Sequence, residues 1–192
     1  MSDTKISELS ELTDPDGDDV IAIVDDPGGT PETKKITRDN FMPDNVGFLA
    51  HLSSDQLNIA DAAWTKIEFD DDNTDGYDDG NVFNTTTNTF TVPTGSNGLY
   101  HFGGVIQSKS GTISANKIFG LMLLKNGTDN IAKDIKNTAS SGSETRAAHI
   151  ALKLEAGDTV IVQTYHNEGT ATPDIDSEPE KSYFYGYLVK KD

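Results

Sequence analysis

The chain has 192 residues, which suits one domain or one domain with an ordered extension, and carries 32 acidic against 15 basic residues for a formal charge of −17. That charge repels a nucleic-acid duplex and an anionic membrane surface, and favours cations or a basic partner. The absence of cysteine excludes a disulfide scaffold, thiolate catalysis and cysteine-ligated zinc.

The opening residues, "MSDTKISELS", have no apolar signal core, so a cleavable signal peptide is not expected. No run of 18 apolar residues exists, and no membrane insertion is expected. Residues 1–45 read differently from the rest. Their one clear apolar run, Val20-Ile21-Ala22-Ile23-Val24, is flanked by turn formers and predicts a short strand. "TKKIT", 33–37, predicts a second, and the residues between them suit the loop of a hairpin. Thr37 then caps a single helical turn ending near Phe41. The segment has too little apolar surface to fold alone, so it reads as an anchor that orders against a neighbour through Ile6, Leu9, Val20, Ile21, Ile23, Val24 and Ile36.

From about Val46 onward the pattern is that of β-sheet. "VGFLAHL" and "WTKIEF" read as strands, the latter alternating Trp64, Lys66 and Glu68 against Thr65, Ile67 and Phe69. "NTFTVP" sets Phe90 and Val92 on one face, and Pro93 ends that strand. In "GLYHFGGVIQ", Tyr100 and Phe102 share a face because side chains repeat every two residues, and both are expected in the core beside Phe90. Gly103 and Gly104 relieve crowding or permit a bulge. "NKIFGLMLLKNGT" is apolar on both faces, as a doubly covered strand must be. "RAAHIALKLEAGD" alternates Ala148, Ile150, Leu152 and Leu154 against Ala147, His149, Ala151 and Lys153. "DTVIVQTYH" and "KSYFYGYLVK" complete the set. Trp64, Phe69, Phe90, Tyr100, Phe102, Ile150, Leu152, Val160 and Phe184 are the expected core. Many short strands with Gly, Asn and Pro turns and no intervening helices predict an all-β sandwich or barrel and argue against a Rossmann or α/β-hydrolase layout.

Four elements in register carry a family resemblance: "WTKIEF" at 64–69, "FTVPTGSNGLYHF" at 90–102, "LEAGDTV" at 154–160 and "YFYGYL" at 183–188. Over residues 46–191 the chain resembles the complement-type globular head domain, one of the tumour-necrosis-factor-like jelly rolls. The resemblance implies a ten-stranded jelly roll that assembles as a tight homotrimer and binds ligands or surfaces without being an enzyme. Residues 46–192 are therefore taken as the jelly-roll domain. The pattern "KISEL…IAIVD…TKKIT" of residues 1–45 resembles the leaders of tailed-phage tail-fibre and head-fibre proteins. Joined, the two resemblances imply a phage virion surface protein. The expectation is a trimeric head fibre or capsid decoration protein, held by residues 1–45 to capsid or tail proteins and exposed on the virion surface. Two alternatives stand beside it: a tail-fibre adhesin contacting a host glycan or protein, and a free carbohydrate- or protein-binding jelly-roll module.

Tyr165, Tyr183, Tyr185 and Tyr187 exceed what a small core accommodates on one face, so they are candidate trimer contacts. The loop "FDDDNTDGYDDGN" sets Asp71, Asn73 and Asp75 at spacing two before Gly76, with Asp79 at the ninth position. This matches the opening half of a calcium loop, but Val82 stands where the closing Glu belongs and no helices flank it. The candidate is a Ca²⁺ site on Asp71, Asn73, Asp75 and Asp79; the alternative is a solvated acidic turn. His51, His101, His149 and His166 lie far apart, and a metal cluster on them requires a threefold axis. No nucleophile-elbow, H-E-x-x-H or P-loop motif appears, and no catalytic residue is assigned. "NGT" at 126–128 is a formal glycosylation sequon and also a turn. Loops 70–81, 109–115, 137–144 and 166–180 are the expected ligand-facing surface.

Overall fold

A computed structural model describes residues 20–25, 32–37, 45–74, 76–109, 111–169 and 172–192. The chain divides into two compact units, Met1–Asp44 and Asn45–Asp192. In the first, β1 (Val20–Asp25) and β2 (Glu32–Thr37) pair as an antiparallel hairpin, from Val20 opposite Thr37 to Asp25 opposite Glu32. Val20 and Ile21 are exposed and Ile36 is half-buried. Ile6, Leu9 and the turn proposed near Phe41 lie outside the described residues.

The second unit is all-β. Its strands are β3 (Gly47–His51), β4 (Thr65–Lys66), β5 (Tyr77–Asp79), β6 (Phe83–Asn84), β7 (Thr89–Thr91), β8 (Gly98–Gln107), β9 (Ile118–Lys125), β10 (Asp129–Asn137), β11 (Thr145–Leu154), β12 (Thr159–His166) and β13 (Tyr183–Lys191). One sheet runs β10-β9-β12-β7-β6, with β4 attached to β12; the other runs β11-β8-β13-β3-β5. The resemblance implies ten strands; the described residues hold one more, the two-residue β4 lying off the main path of its sheet. Every pairing in the unit is antiparallel. Among the described residues no helix is long and apolar enough to cross a membrane.

The two sheets face each other across an aromatic core. β12 alternates strictly, with Val160, Val162, Thr164 and His166 buried, so this strand keeps one face inward along its whole length. From the other sheet, β8 sends Tyr100, Phe102 and Ile106 inward, and β13 sends Phe184. Phe48 stacks on Phe83 with ring centroids 4.7 Å apart and meets Phe184 edge-on at 4.8 Å. Phe90 meets Phe102 edge-on at 4.9 Å and Tyr100 at 5.6 Å. Edge-to-face pairs add about 0.5–1.5 kcal/mol each beyond their burial. Gly186 lies directly beneath the Phe102 ring, and a Cβ there would collide with it and crowd Phe48.

Phe69, Phe90, Tyr100, Phe102, Val160 and Phe184 are buried in this core, while Ile150 and Leu152 are partly buried against its rim. Trp64 is half-buried and packs on Tyr165, ring centroids 5.5 Å apart. Neither Gly103 nor Gly104 makes a bulge; the β8–β11 register runs unbroken from Gly98 to Gln107. Gly104 instead faces Leu123 and Val162 across the core. Asn126 and Gly127 both take positive φ, 51° and 73°, and turn β9 into β10 in the mirror-image geometry a two-strand hairpin prefers.

Candidate functional site

The outer face of the β11-β8-β13-β3-β5 sheet carries an aromatic and histidine band. Since Phe184 and Gly186 point inward, period-two alternation turns Tyr183, Tyr185 and Tyr187 outward. Their rings stand in a near-parallel ladder, 6.3 and 6.5 Å between centroids. The neighbouring strands add imidazoles. His51 on β3 lies opposite Tyr183, and His101 on β8 opposite Tyr187, with ring centroids 6.3 and 5.4 Å apart. His149 on β11 lies 6.2 Å from the Tyr185 ring, and the Tyr185 hydroxyl and His149 Nδ1 are 3.3 Å apart.

Gly103 makes this packing possible. It is the partner of Tyr185 on one side and of His149 on the other. Both rings lean over it, and a Cβ there would collide with each. Burial, then the neighbouring Tyr187 and Tyr183, hold the Tyr185 hydroxyl above the ordinary tyrosine pKa. The edge of the band stays open: Tyr187 is 42% exposed and Tyr77, on β5, 43%. Three of the four proposed trimer tyrosines thus come together. Tyr165 does not join them, because it sits on β12 in the other sheet, against Trp64. The sequence offers the histidines of the band only as a metal cluster across a threefold axis, although strand parity sets His101 and His149 on the non-core face.

The acidic loop uses its carboxylates locally. Asp71 Oδ1 accepts the backbone N–H groups of Thr74 and Asn73, each at 3.0 Å, and these bonds hold its pKa below the ordinary carboxylate value. The Asp71 backbone bridges to His51, which fastens the loop to the sheet. Asp78 accepts the N–H groups of Val82 at 2.8 Å and Phe83 at 3.2 Å, yet burial pushes its pKa up. Asn73 donates to Asp72, and Asp79 is exposed at the end of β5. Asp75 lies outside the described residues. Among the described residues no three His, Asp or Glu side chains gather in a group able to hold a metal.

Of the expected loops, 166–169 is pinned. Buried His166 bonds the Ile59 carbonyl oxygen through Nε2 at 2.8 Å and takes the Glu168 N–H at Nδ1, 3.2 Å. Lys117 Nζ donates to the Asn167 and Glu168 carbonyls, 3.1 Å each. A groove of about 630 Å³ lies between residues 52–59 and the turn at 85–88, and of its lining only Asp70 falls in a loop singled out from sequence.

Two antiparallel sheets closed on an aromatic core, with an aromatic outer face on one of them, define an all-β sandwich of the jelly-roll kind. The C1q domain family matches residues 48–189, and the chain belongs to that family, whose domain is not an enzyme. Among solved structures the chain is similar to the globular domain of zebrafish complement 1qA protein: 17% identity, 77% of this chain and 99% of that one, TM-score 0.53. It is similar as well to the Eiger TNF of S. frugiperda, at 15% identity, 77% and 94% coverage and TM-score 0.53. Murine APRIL, in a crystal structure at pH 5.0, follows at 11% identity, 76% and 99% coverage and TM-score 0.52. Such identities establish shared fold. No curated protein matched the chain.

These findings correct the virion reading. The relatives are complement and TNF-type proteins, not capsid, head-fibre or tail-fibre components, so the phage virion function and the virion-surface location are both overturned. The leader resemblance rested on a short acidic segment whose described part is a plain two-stranded hairpin, an element with little power to discriminate between families. The last of the sequence alternatives, a ligand-binding jelly-roll module, fits the relatives.

Proposed function

We propose that residues 46–192 form a non-enzymatic ligand-binding head that works as a homotrimer, its copies meeting through the tyrosine and histidine face of the β11-β8-β13-β3-β5 sheet. The observation that carries this reading is the ladder Tyr183-Tyr185-Tyr187, flanked by His51, His101 and His149, on the sheet face turned away from the core. Aromatic residues with few charges are what the centre of a protein–protein contact favours. Gly103 and Gly47 keep the rings low on the sheet, which flattens the face for a neighbour. Membership of the C1q domain family supports the same assembly. Three heads held together multiply weak ligand contacts, so modest single-site affinity is enough for useful binding. The N-terminal hairpin is then a separate attachment or spacer segment.

A charge placed on the ladder tests the reading. Tyr187→Glu buries three like charges near one another in the trimer and is expected to give a folded monomer in sedimentation velocity, with an unchanged far-ultraviolet spectrum. A Tyr187→Glu protein that sediments like the parent chain contradicts the assigned face.

A further inference from the structure

The groove between residues 52–59 and the 85–88 turn is walled by backbone that is already fixed. The Gln56 amide bonds in both directions: Nε2 donates to the Lys66 carbonyl and Oε1 accepts the Glu68 N–H, each at 2.9 Å. The same loop pairs with Ile175, and the Asn58 N–H donates to Asp174 Oδ1 at 3.0 Å. On the other wall, Asn88 takes a φ of 46° and its Nδ2 donates to the carbonyls of Phe69 at 3.0 Å and Thr85 at 2.8 Å. A cleft held this way needs no ordering when a ligand enters.

Against these fixed walls stand polar side chains without a hydrogen-bond or ion-pair partner, although the Glu68 charge is felt by Lys66. Among the described residues, the hydroxyls of Ser54, Thr65, Thr85 and Thr86 and the carboxylate of Glu68 make no hydrogen bond or ion pair, and all five residues line the groove. The other two carboxylates there are occupied. Asp55 pairs with Lys109 and accepts from Ser177, and Asp70 takes the Ser53 N–H and hydroxyl at 2.7 Å each. Among the described residues no cation lines the groove: Lys66 Nζ donates to the Thr87 carbonyl and to Thr89 Oγ1, and Lys109 is paired with Asp55. Leu57, 59% exposed, offers an apolar patch in the lining.

We infer that this groove binds a neutral or amino-bearing saccharide. Unengaged hydroxyls are donors and acceptors at once, as a polyol requires. Glu68 can bridge two sugar hydroxyls or meet an ammonium, and Leu57 can cover the C–H face of a ring. An anionic glycan is disfavoured, with three carboxylates in the lining and no cation available. A basic peptide is less suited, because only Glu68 of those carboxylates lacks a hydrogen-bond or ion-pair partner, and it already faces the charge of Lys66. The volume falls within the range of small-ligand sites. No aromatic ring lines it, so a single groove binds weakly, with a dissociation constant of roughly 10⁻³–10⁻⁴ M. The inference rests on the ligand-binding reading above and gives it a site and a ligand class.

The test is an amide chemical-shift titration of the full chain. The probes are a panel of neutral and amino oligosaccharides that includes maltotriose and glucosamine trimers, together with sialyllactose and hexalysine. The expected result is a saturable shift at residues 54–58, 65–68 and 85–88 with a neutral or amino member and none with sialyllactose. Glu68→Ala and Thr86→Val, both at exposed positions, are each expected to weaken that binding about tenfold without moving the melting temperature. Shifts that map elsewhere, or that both variants leave intact, overturn the groove while the ligand-binding reading stands. Binding of hexalysine alone overturns the saccharide class. No binding by any probe overturns the proposal, and only a monomer by sedimentation overturns the trimeric head.

Discussion

Tyr100 donates its hydroxyl to the Ser96 carbonyl oxygen at 2.7 Å from a fully buried ring, and burial pushes its pKa up to about 12. Tyr100→Phe leaves that carbonyl unpaired and is expected to cost about 1–2 kcal/mol in urea unfolding. The raised pKa also sets a pH dependence. The stabilisation is complete below the unfolded tyrosine value of about 10 and is lost as pH rises through the folded value. Stability of the parent chain should therefore fall more steeply between about pH 10 and 12 than that of Tyr100→Phe, and equal slopes would refute the assignment. Asp71 runs the other way. Its lowered pKa means a contribution present above the ordinary carboxylate value and lost as pH falls through the folded one. The stability gap between the parent chain and Asp71→Ala should narrow as pH is taken from about 6 to 3, measured by thermal unfolding at each pH. The position of Tyr100 was legible in its spacing from Phe102. The role of Asp71 was not, because a D-x-N-x-D pattern is the same whether the first carboxylate meets a cation or the two N–H groups that follow it.

Strand by strand, what was legible tracks how much each element buries. β8 spans the residues its pattern predicts, and β9 and β12 stand where apolar runs place them. β10, "DNIAKDIKN", gave no signal because it is an edge strand with charged residues and little burial, the composition that keeps edges from pairing with other chains. β5 and β6 are three and two residues long, too short for any period to register. The two glycines of "FGGV" look alike in sequence but face opposite ways, Gly104 into the core and Gly103 under the Tyr185 and His149 rings. Substitution separates them. Gly103→Ala displaces rings on the outer face, so it should weaken assembly more than it destabilises one chain. Gly186→Ala drives a methyl against Phe102 and should cost about 1–3 kcal/mol or more in the fold itself. Urea unfolding of each variant, together with its sedimentation, distinguishes the two outcomes.

At the scale of the whole molecule, the jelly roll was readable because four motifs fall in register along 64–188, and long spacing in sequence becomes adjacency in the sheets. The partner was not readable. A leader with one short apolar run carries little pattern that a packed neighbour would impose, and it drew the reading toward the wrong class of protein. The tyrosines of β13 are spaced like core residues, and only the sheet they occupy separates Tyr183, Tyr185 and Tyr187 from Tyr165. Each chain carries a formal charge of −17, so three of them repel one another over distances comparable to the protein's own size. Raising ionic strength from about 0.01 to 0.15 M shortens the screening length from ~30 to ~8 Å, and the trimer should tighten as a result. Static light scattering on the full chain at neutral pH and 0.15 M salt tests the central claim most directly. The account predicts a molar mass three times the 20.7 kDa of one chain. A single-chain mass that persists to millimolar concentration would contradict it.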